Sequence, residues 1–110
     1  MPGPHSTLGI LVTAPPESPA FGDFLKSANQ ALVDSRPVFT YLLHDAVPGI
    51  SLPAVQDLRH NGMILHACAL AADQRHIPNS DQAVFSGLVT LGELLLRCDE
   101  FLTFSPERPS

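Results

Sequence analysis

Charged residues are scarce in this chain, and most of those present are acidic. Only 15% of its 110 residues are charged, and six Lys and Arg stand against eleven Asp and Glu, giving a formal net charge of −5. This balance argues against direct nucleic-acid binding, because a protein that binds nucleic acid needs a basic stripe to displace phosphate counterions. Few surface charges on a small apolar domain also favour coverage by a partner, so we expect an oligomer.

Long apolar runs and abundant cysteine are also missing. The longest apolar stretches, 63–72 and 88–96, are interrupted by His66 and Glu93, whereas a membrane span needs about 18 apolar residues. The first residues hold no basic region leading into an apolar stretch, so we expect no secretory leader. The two cysteines, Cys68 and Cys98, are too few for a disulfide framework. We therefore expect a cytoplasmic protein with reduced thiols and no membrane contact.

Several motifs that would indicate a cofactor or a familiar active site are absent. The first predicted strand is followed by APPESPAFG, and prolines cannot donate N–H groups to a phosphate, which leaves a nucleotide or flavin binder without its usual loop. No Gly-x-Ser-x-Gly elbow occurs. His60, His66, Cys68 and His76 are close in sequence, but they lack the spacing of a zinc site. We expect neither a metal nor a cofactor.

The apolar residues that are present alternate between strand and helix patterns. An alternation of this kind predicts an α/β fold with three layers, in which helices cover both faces of a mostly parallel sheet of four to five strands. We expect a single domain over 1–110, with a polar tail at 106–110. The predicted strands are Thr7–Ala14, Val38–Leu43, Met63–Ala67 and Phe101–Phe104, with an optional one at Ala83–Phe85.

Predicted helices separate these strands. The first starts at Ser18 or Pro19 and carries an apolar stripe that includes Phe21 and Phe24. The second begins near Pro53 and ends at Asn61-Gly62, after a loop over His44–Ser51. The third covers Ala69–Arg75. For the last helix, the spacing of Leu88, Leu91 and Leu95 predicts the face that packs on the sheet.

Cys68 is the residue whose predicted position has chemical consequences. It follows a buried strand and opens a helix, at the edge of a parallel sheet where ligands and catalytic groups collect. Free backbone N–H groups and the positive end of the helix dipole stabilise an anion there, so we expect the thiolate form of Cys68 to be favoured by the N–H groups of Ala69 and Leu70. His66 lies two residues earlier, on the same side of the strand, and as imidazolium it would favour the thiolate further.

The ordinary alternative is that these residues are structural. A free cysteine often behaves as a small buried hydrophobe, and a histidine in a strand is often a satisfied polar residue. Cys98 comes at the end of the last helix, at the opposite edge of the sheet, where no dipole favours its thiolate. We expect it to be packed and not to pair with Cys68, because a disulfide needs Cα atoms within about 7 Å.

Three segments resemble the DsrE/TusD (DsrEFH-like) family of sulfur-relay proteins. Ile64–Ile77 resembles that family's strand, cysteine and alanine-rich helix, and Phe85–Phe104 resembles its closing segment, in which Gly-Leu opens a leucine-rich helix and an Asp precedes a strand that ends in Phe. His44-Asp45-Ala46-Val47 is similar to the family's Asp-Gly-Val loop, which makes Asp45 a supporting residue. The sequence departs from the pattern at Ala46 and at Arg75-His76, where the family has glycines.

The resemblance implies an α/β/α domain with a mainly parallel five-stranded sheet. It also implies a persulfide on Cys68, which takes sulfur from a donor protein and passes it to an acceptor protein in tRNA thiolation or sulfur oxidation. The implied assembly is a homo-oligomer, trimeric or hexameric, or a hetero-oligomer with DsrE-, DsrF- or DsrH-like subunits. Two functions thus stay open, a sulfurtransferase or persulfide carrier, and a non-catalytic oligomeric scaffold or binder of small ligands.

Overall fold

The computed structural model describes residues 6–106, and it has the alternating strand and helix order expected from the sequence. Residues 1–5, and the part of the predicted polar tail at 107–110, lie outside the described residues. The strands are β1 (Leu8–Val12), β2 (Val38–Leu42), β3 (Ile64–Cys68), β4 (Val84–Ser86) and β5 (Glu100–Phe104). The helices are α1 (Pro19–Val33), α2 (Pro53–His60), α3 (Ala69–Gln74) and α4 (Leu88–Arg97).

The five strands form one sheet in which every neighbouring pair is parallel. Their order is β4-β3-β2-β1-β5, with β1 between β2 and β5 and with β3 joining β2 to β4. The α/β prediction is confirmed, and the optional strand exists at Val84–Ser86 rather than at Ala83–Phe85. The carboxyl ends of parallel strands meet at one edge, so the residues that follow β2, β3 and β4 are brought together there.

Local signals fix where α1 and α2 begin and end. Ser18 caps α1, since its Oγ accepts the N–H of Phe21 at 3.4 Å, and Pro19 in the first turn has no N–H to leave unpaired. Pro53 opens α2 in the same way. Between β2 and α2, the predicted loop instead forms 3₁₀ turns over His44–Ser51, with Pro48 inside them.

The two faces of the sheet are covered unequally. Phe24 of α1 packs its ring against Phe104, which pairs in register with Val12, so α1 lies on the face that carries Val12. On the other face, a Cβ at Gly9 would lie 2.7 Å from Cys98 Sγ, at the end of α4. Of the residues in α4, Leu94 alone is buried. The face that carries Val12 is therefore covered by the 15-residue helix α1, whereas α4 contributes a single buried residue to the other face.

The predicted inner face of α4 is wrong. Leu88 and Leu95 are exposed, whereas Leu94 is buried and Leu91 is partly buried against the core. Leucines occur at 88, 91, 94, 95 and 96, so the apolar residues extend around most of the helix and their spacing does not select one face. None of the helices between residues 6 and 106 is long and apolar enough to cross a bilayer.

Candidate functional site

Cys68 occupies the junction between β3 and α3. It is the last residue of the strand and also the N-cap of the helix, with extended backbone angles of φ −67° and ψ 117°. Its Sγ accepts the N–H of Ala71 at 3.4 Å, and only 5% of the residue is exposed. The sulfur is thus directed into the first turn of α3, where an N-cap side chain satisfies an otherwise unpaired N–H.

The donor to this sulfur differs from those named by the sequence. Ala69 and Leu70 were expected to supply their N–H groups, but the observed hydrogen bond comes from Ala71. A side chain at the N-cap accepts from the backbone N–H of the second or third residue of the helix, and here it accepts from the third, Ala71. Ala69 is partly buried, and the Leu70 side chain points outward with 66% of the residue exposed.

Tyr41 on β2, like Ser86 on β4, is a member of the site that the sequence did not indicate. Its residue exposure is 0%, and its hydroxyl donates a hydrogen bond to the Ser86 carbonyl oxygen at 3.1 Å. Cys68 lies near enough for the charge of its thiolate to oppose the ionisation of this hydroxyl. Burial, followed by the charge of the neighbouring Cys68 thiolate, raises the pKa of Tyr41 from 10.0 to about 12. Tyr41 therefore stays protonated throughout the physiological range.

His66 lies beside Tyr41 on the same face of the sheet. The two residues are partners in register between β2 and β3, and their rings stack at 13° with centroids 6.5 Å apart. Burial lowers the pKa of His66 below 6.5, so its imidazole is neutral at neutral pH. This geometry does not favour the imidazolium role expected from the sequence.

Ser86 completes a polar cluster around the sulfur. It ends β4 and is the register partner of Cys68. Its buried Oγ and the buried Nδ1 of His66 have no hydrogen-bond partner among the described residues. Buried polar atoms are usually paired, so two unpaired ones beside a cysteine are unusual. We refer to Tyr41, His66, Cys68 and Ser86 as the Cys68 cluster.

Asp45 lies at the same sheet edge, where it pairs with a residue of the α3 terminus. Its Oδ1 accepts from Arg75 Nη2 at 2.8 Å, and Arg75 Nη1 also bonds the Ala71 carbonyl at 3.2 Å. The pair ties the 3₁₀ segment to α3. The neighbouring His44 has a left-handed backbone with φ 54°, as does His76 with φ 57° after α3, so His76 takes the conformation for which the resembling family uses glycine.

Cys98 is in a different environment at the opposite edge. Burial, and next the charge of Asp99, raise the pKa of the Cys98 thiol above 9.0. Both thiols are free. Among residues 6–106, no three His, Cys, Asp or Glu side chains are grouped so as to hold a metal ion.

A cavity of about 300 Å³ lies between the 3₁₀ segment and the chain that leads into β4. Its lining is mostly apolar and includes Val47, Ile50, Ile77 and Phe85. Cavities of this size bind small molecules in other proteins. The Cys68 cluster does not line it, so it is a separate feature of the same half of the molecule.

Comparison with known proteins identifies the fold. No protein-family model matches the chain, and no curated protein matches it in sequence. Among solved structures, it is similar to the YchN protein of E. coli, with a TM-score of 0.75 and 22% sequence identity over 90% of this chain and 99% of that one. At this identity the likeness shows the fold, which is of the DsrE type and Rossmann-like, with an all-parallel five-stranded sheet flanked by helices.

Proposed function

We propose that this protein is a DsrE/TusD-like persulfide carrier in which Cys68 receives and passes on a sulfur atom. The observation that carries the proposal is the placement of Cys68 Sγ at the start of α3, where it accepts the Ala71 N–H. An N–H donor directed at the sulfur from the first turn of a helix suits an anionic atom better than a packed thiol. The DsrE-type fold supports the same assignment.

The transfer is a thiol exchange in which no net oxidation occurs. The Cys68 thiolate attacks the outer sulfur of a donor persulfide, R–S–SH, so that a bond forms from Sγ to that sulfur and the donor S–S bond breaks. The donor leaves as R–S⁻, and Cys68 becomes Cys68–S–SH. An acceptor thiolate then attacks the outer sulfur in turn, which releases the Cys68 thiolate.

For this function, a donor must be able to reach the Cys68 sulfur. Because 5% of Cys68 is exposed, the donor reaches Sγ only when the chain around the cluster opens locally. The donor and acceptor are proteins in this proposal, in a cytoplasmic setting that keeps the thiol reduced. The Asp45–Arg75 pair, which is exposed and joins the 3₁₀ segment to α3, is a contact that such an opening would break.

A direct test is to incubate the protein with a low-molecular-weight persulfide and to record its intact mass. We expect a gain of one sulfur atom that Cys68→Ser abolishes and the matched variant Cys98→Ser retains. Treatment with excess thiol should remove the added atom. No gain in the parent protein, or an equal gain in Cys68→Ser, would overturn the proposal.

The alternative function, a non-catalytic oligomeric scaffold, is favoured by the outer face of α4. Leu88, Val89, Leu95 and Leu96 are between 51% and 90% exposed. They lie four and three residues before Gly92 and three and four residues after it, so together they form one stripe on the helix. We call these five residues the α4 stripe.

The occupant that we propose for the α4 stripe is a second copy of this chain. A two-fold axis through Gly92 would set Leu88 and Val89 of one copy against Leu96 and Leu95 of the other, which is the self-complementarity of an isologous interface. Because Gly92 has no side chain, the two helices can approach each other closely where they cross. This contact is compatible with a dimer or with the trimer-of-dimers form of the predicted hexamer, alone or with DsrE-, DsrF- or DsrH-like subunits.

Light scattering on the size-exclusion eluate tests the assembly. The parent protein should elute as an oligomer, and Leu96→Glu should shift it to a smaller species. Val33→Glu is the matched control, because Val33 is also an exposed apolar helix residue, 69% exposed, but lies on α1. A monomeric parent protein, or an unchanged oligomer in Leu96→Glu, contradicts this role for the stripe.

A further inference from the structure

A cavity that the proposed function does not use lies beside the 3₁₀ segment. It has a volume of about 300 Å³ and is bounded by the 3₁₀ segment on one side and by the chain that leads into β4 on the other. Its inner wall is apolar and is formed by Val47, Ile50, Ile77 and Phe85. We call it the Ile50 cavity.

The Ile50 cavity has a buried floor and an exposed rim. Val47 and Ile50 are 0% and 3% exposed, so the cavity reaches down to the hydrophobic core. Its rim carries two prolines and two serines, all of them exposed: Pro48, Ser51, Pro78 and Ser80. Because proline has no N–H group, the serine hydroxyls are the main hydrogen-bonding groups at the rim.

Side chains of α2 hold the two walls of the cavity together. The Gln56 Nε2 group donates to the Ile50 carbonyl at 2.7 Å and to the Gln82 carbonyl at 3.1 Å, so one amide group joins the two walls. Arg59 Nη1 supports this amide, since it donates to Gln56 Oε1 at 3.3 Å and to the Asp81 carbonyl at 2.9 Å. The cavity is therefore formed by the fold itself, as small-molecule sites usually are.

The lining indicates the chemistry of a ligand. None of the described residues that line the cavity is charged, so a charged ligand would lose its hydration without gaining an ion pair. An ordered water molecule needs several polar partners, which an apolar floor does not supply. An apolar cavity of about 150 Å³ holds benzene in another protein, so a cavity of about 300 Å³ has room for about two fused rings.

We propose that the Ile50 cavity binds an uncharged and mostly apolar small molecule, about the size of a two-ring aromatic compound, with a hydrogen-bonding group turned toward the rim. Ser80 Oγ accepts the Gln82 N–H at 3.2 Å, and its own proton can be donated to such a group. Cys68 does not line the cavity, so the site is independent of the proposed persulfide chemistry. Ligand binding and sulfur uptake are measured separately, and either one can fail alone.

Indole is a suitable probe, because it is an uncharged fused-ring compound with an N–H group. The chain contains one Tyr and no Trp, so the fluorescence of added indole can be followed against little protein background. We expect the emission of indole to shift to shorter wavelength as protein is added, and to saturate with a Kd of about 1 mM or lower. A response that does not saturate would overturn the proposal.

Indole-3-acetate tests the expected preference for an uncharged ligand. It has the same rings and carries a carboxylate, for which the described lining offers no cationic partner. We expect its Kd to be at least about tenfold higher than that of indole. Equal affinity for the two compounds would contradict the chemistry assigned to the cavity.

Ser51→Phe tests whether indole binds in this cavity. Because Ser51 is an exposed residue of the rim, a ring at this position should close the mouth without disturbing the core, and the Kd should rise at least about tenfold. Ser105→Phe is the matched control, because Ser105 is also exposed but follows β5, at the other end of the sheet from β4. It should retain the parent Kd. Equal affinity in the parent protein and in Ser51→Phe would overturn the proposal.

Methyl chemical shifts locate the probe without any variant, and they apply even where Ser51→Phe does not fold. With increasing indole we expect the methyl signals of Val47, Ile50 and Ile77 to move, whereas those of Ile10, a core residue of β1, should stay in place. Changes confined to the exposed leucines of the α4 stripe would mean that indole binds there instead, and would overturn the proposal.

Discussion

The two cysteines of this protein lie at opposite edges of one parallel sheet, and their surroundings differ more than their exposures do. Cys68 ends a strand and precedes a helix, so its sulfur accepts an N–H group of that helix. Cys98 follows a helix and precedes a strand, and its neighbours are the Asp99 carboxylate, the Phe101 ring and the backbone of Gly9. Cys68 is nevertheless the more buried of the two.

This difference in surroundings follows from the direction of the chain and not from solvent exposure. In a parallel sheet each strand delivers its carboxyl end to one edge, where the N-termini of helices present unpaired N–H groups. At the other edge, the helices end in carbonyl groups, which disfavour a thiolate. We therefore propose a chemical role for Cys68 and a packing role for Cys98, and four predictions test this proposal.

The largest expected effect concerns packing at Cys98. In Gly9→Ala, the new Cβ would lie 2.7 Å from Cys98 Sγ and 2.6 Å from the Phe101 ring, so both must shift. We expect a loss of about 1–3 kcal/mol in the free energy of unfolding, measured by denaturant titration. Gly22→Ala in α1 is the control, because nothing lies within 4 Å of that Cβ, and it should stabilise the helix by about 1 kcal/mol. A neutral Gly9→Ala would show that Cys98 is not tightly packed.

The next effect concerns the Cys68 cluster at alkaline pH. The pKa of Tyr41 rises from 10.0 in the unfolded chain to about 12 in the folded protein. The folded state thus holds its proton more tightly, and stability present below pH 10 is lost as the pH rises toward 12. This loss should approach about 2 kcal/mol and should be absent in Tyr41→Phe, as measured by unfolding at stepped pH. An equal loss of stability at alkaline pH in the parent protein and in Tyr41→Phe would argue against ionisation of Tyr41 as its cause.

Serine substitutions of the two cysteines should change stability in opposite directions. Serine is a preferred N-cap residue, so Cys68→Ser should leave the free energy of unfolding unchanged or raise it by up to about 1 kcal/mol. Cys98→Ser instead places a hydroxyl against Gly9 and Phe101 and should cost about 1 kcal/mol. Thermal unfolding of the two variants side by side measures this. A destabilised Cys68→Ser would mean that the sulfur is needed for packing, which is the alternative that the sequence left open.

The sequence predicted the parts of this comparison that depend on local patterns. Ser18-Pro19 and Pro53 indicate where two helices start, and β-branched runs indicate buried strands, so the strand that ends at Cys68 could be located. The positions of the two cysteines at opposite edges follow from the strand and helix order. These features are local, and no tertiary contact is needed to infer them.

Features that depend on pairing between distant segments could not be predicted in the same way. Tyr41 reaches the Ser86 carbonyl because β2 and β3 are parallel with Tyr41 opposite His66, and nothing in the sequence sets that register in advance. The buried face of α4 was mistaken because its leucines surround the helix. His76 takes a left-handed conformation, φ 57°, because the bond from Ile77 N to the Ala72 carbonyl closes the end of α3, and the residue type gives little sign of it.

The smallest predicted effect is acid sensitivity at His66, which sharpens the contrast between a buried cluster and an exposed surface. Burial lowers the pKa of His66 below 6.5 in the folded protein, so the unfolded chain binds a proton first as the pH falls. Stability should decrease as the pH drops from 6.5 through the folded value, and His66→Asn should reduce that decrease. The exposed His60 provides the control, His60→Gln, which should retain the full decrease. A similar acid profile in His66→Asn and in the parent protein would contradict this prediction. It would mean that the unpaired Nδ1 of His66 finds a hydrogen-bond acceptor when the ring is charged. The cluster around Cys68 would then be more polar than its burial implies.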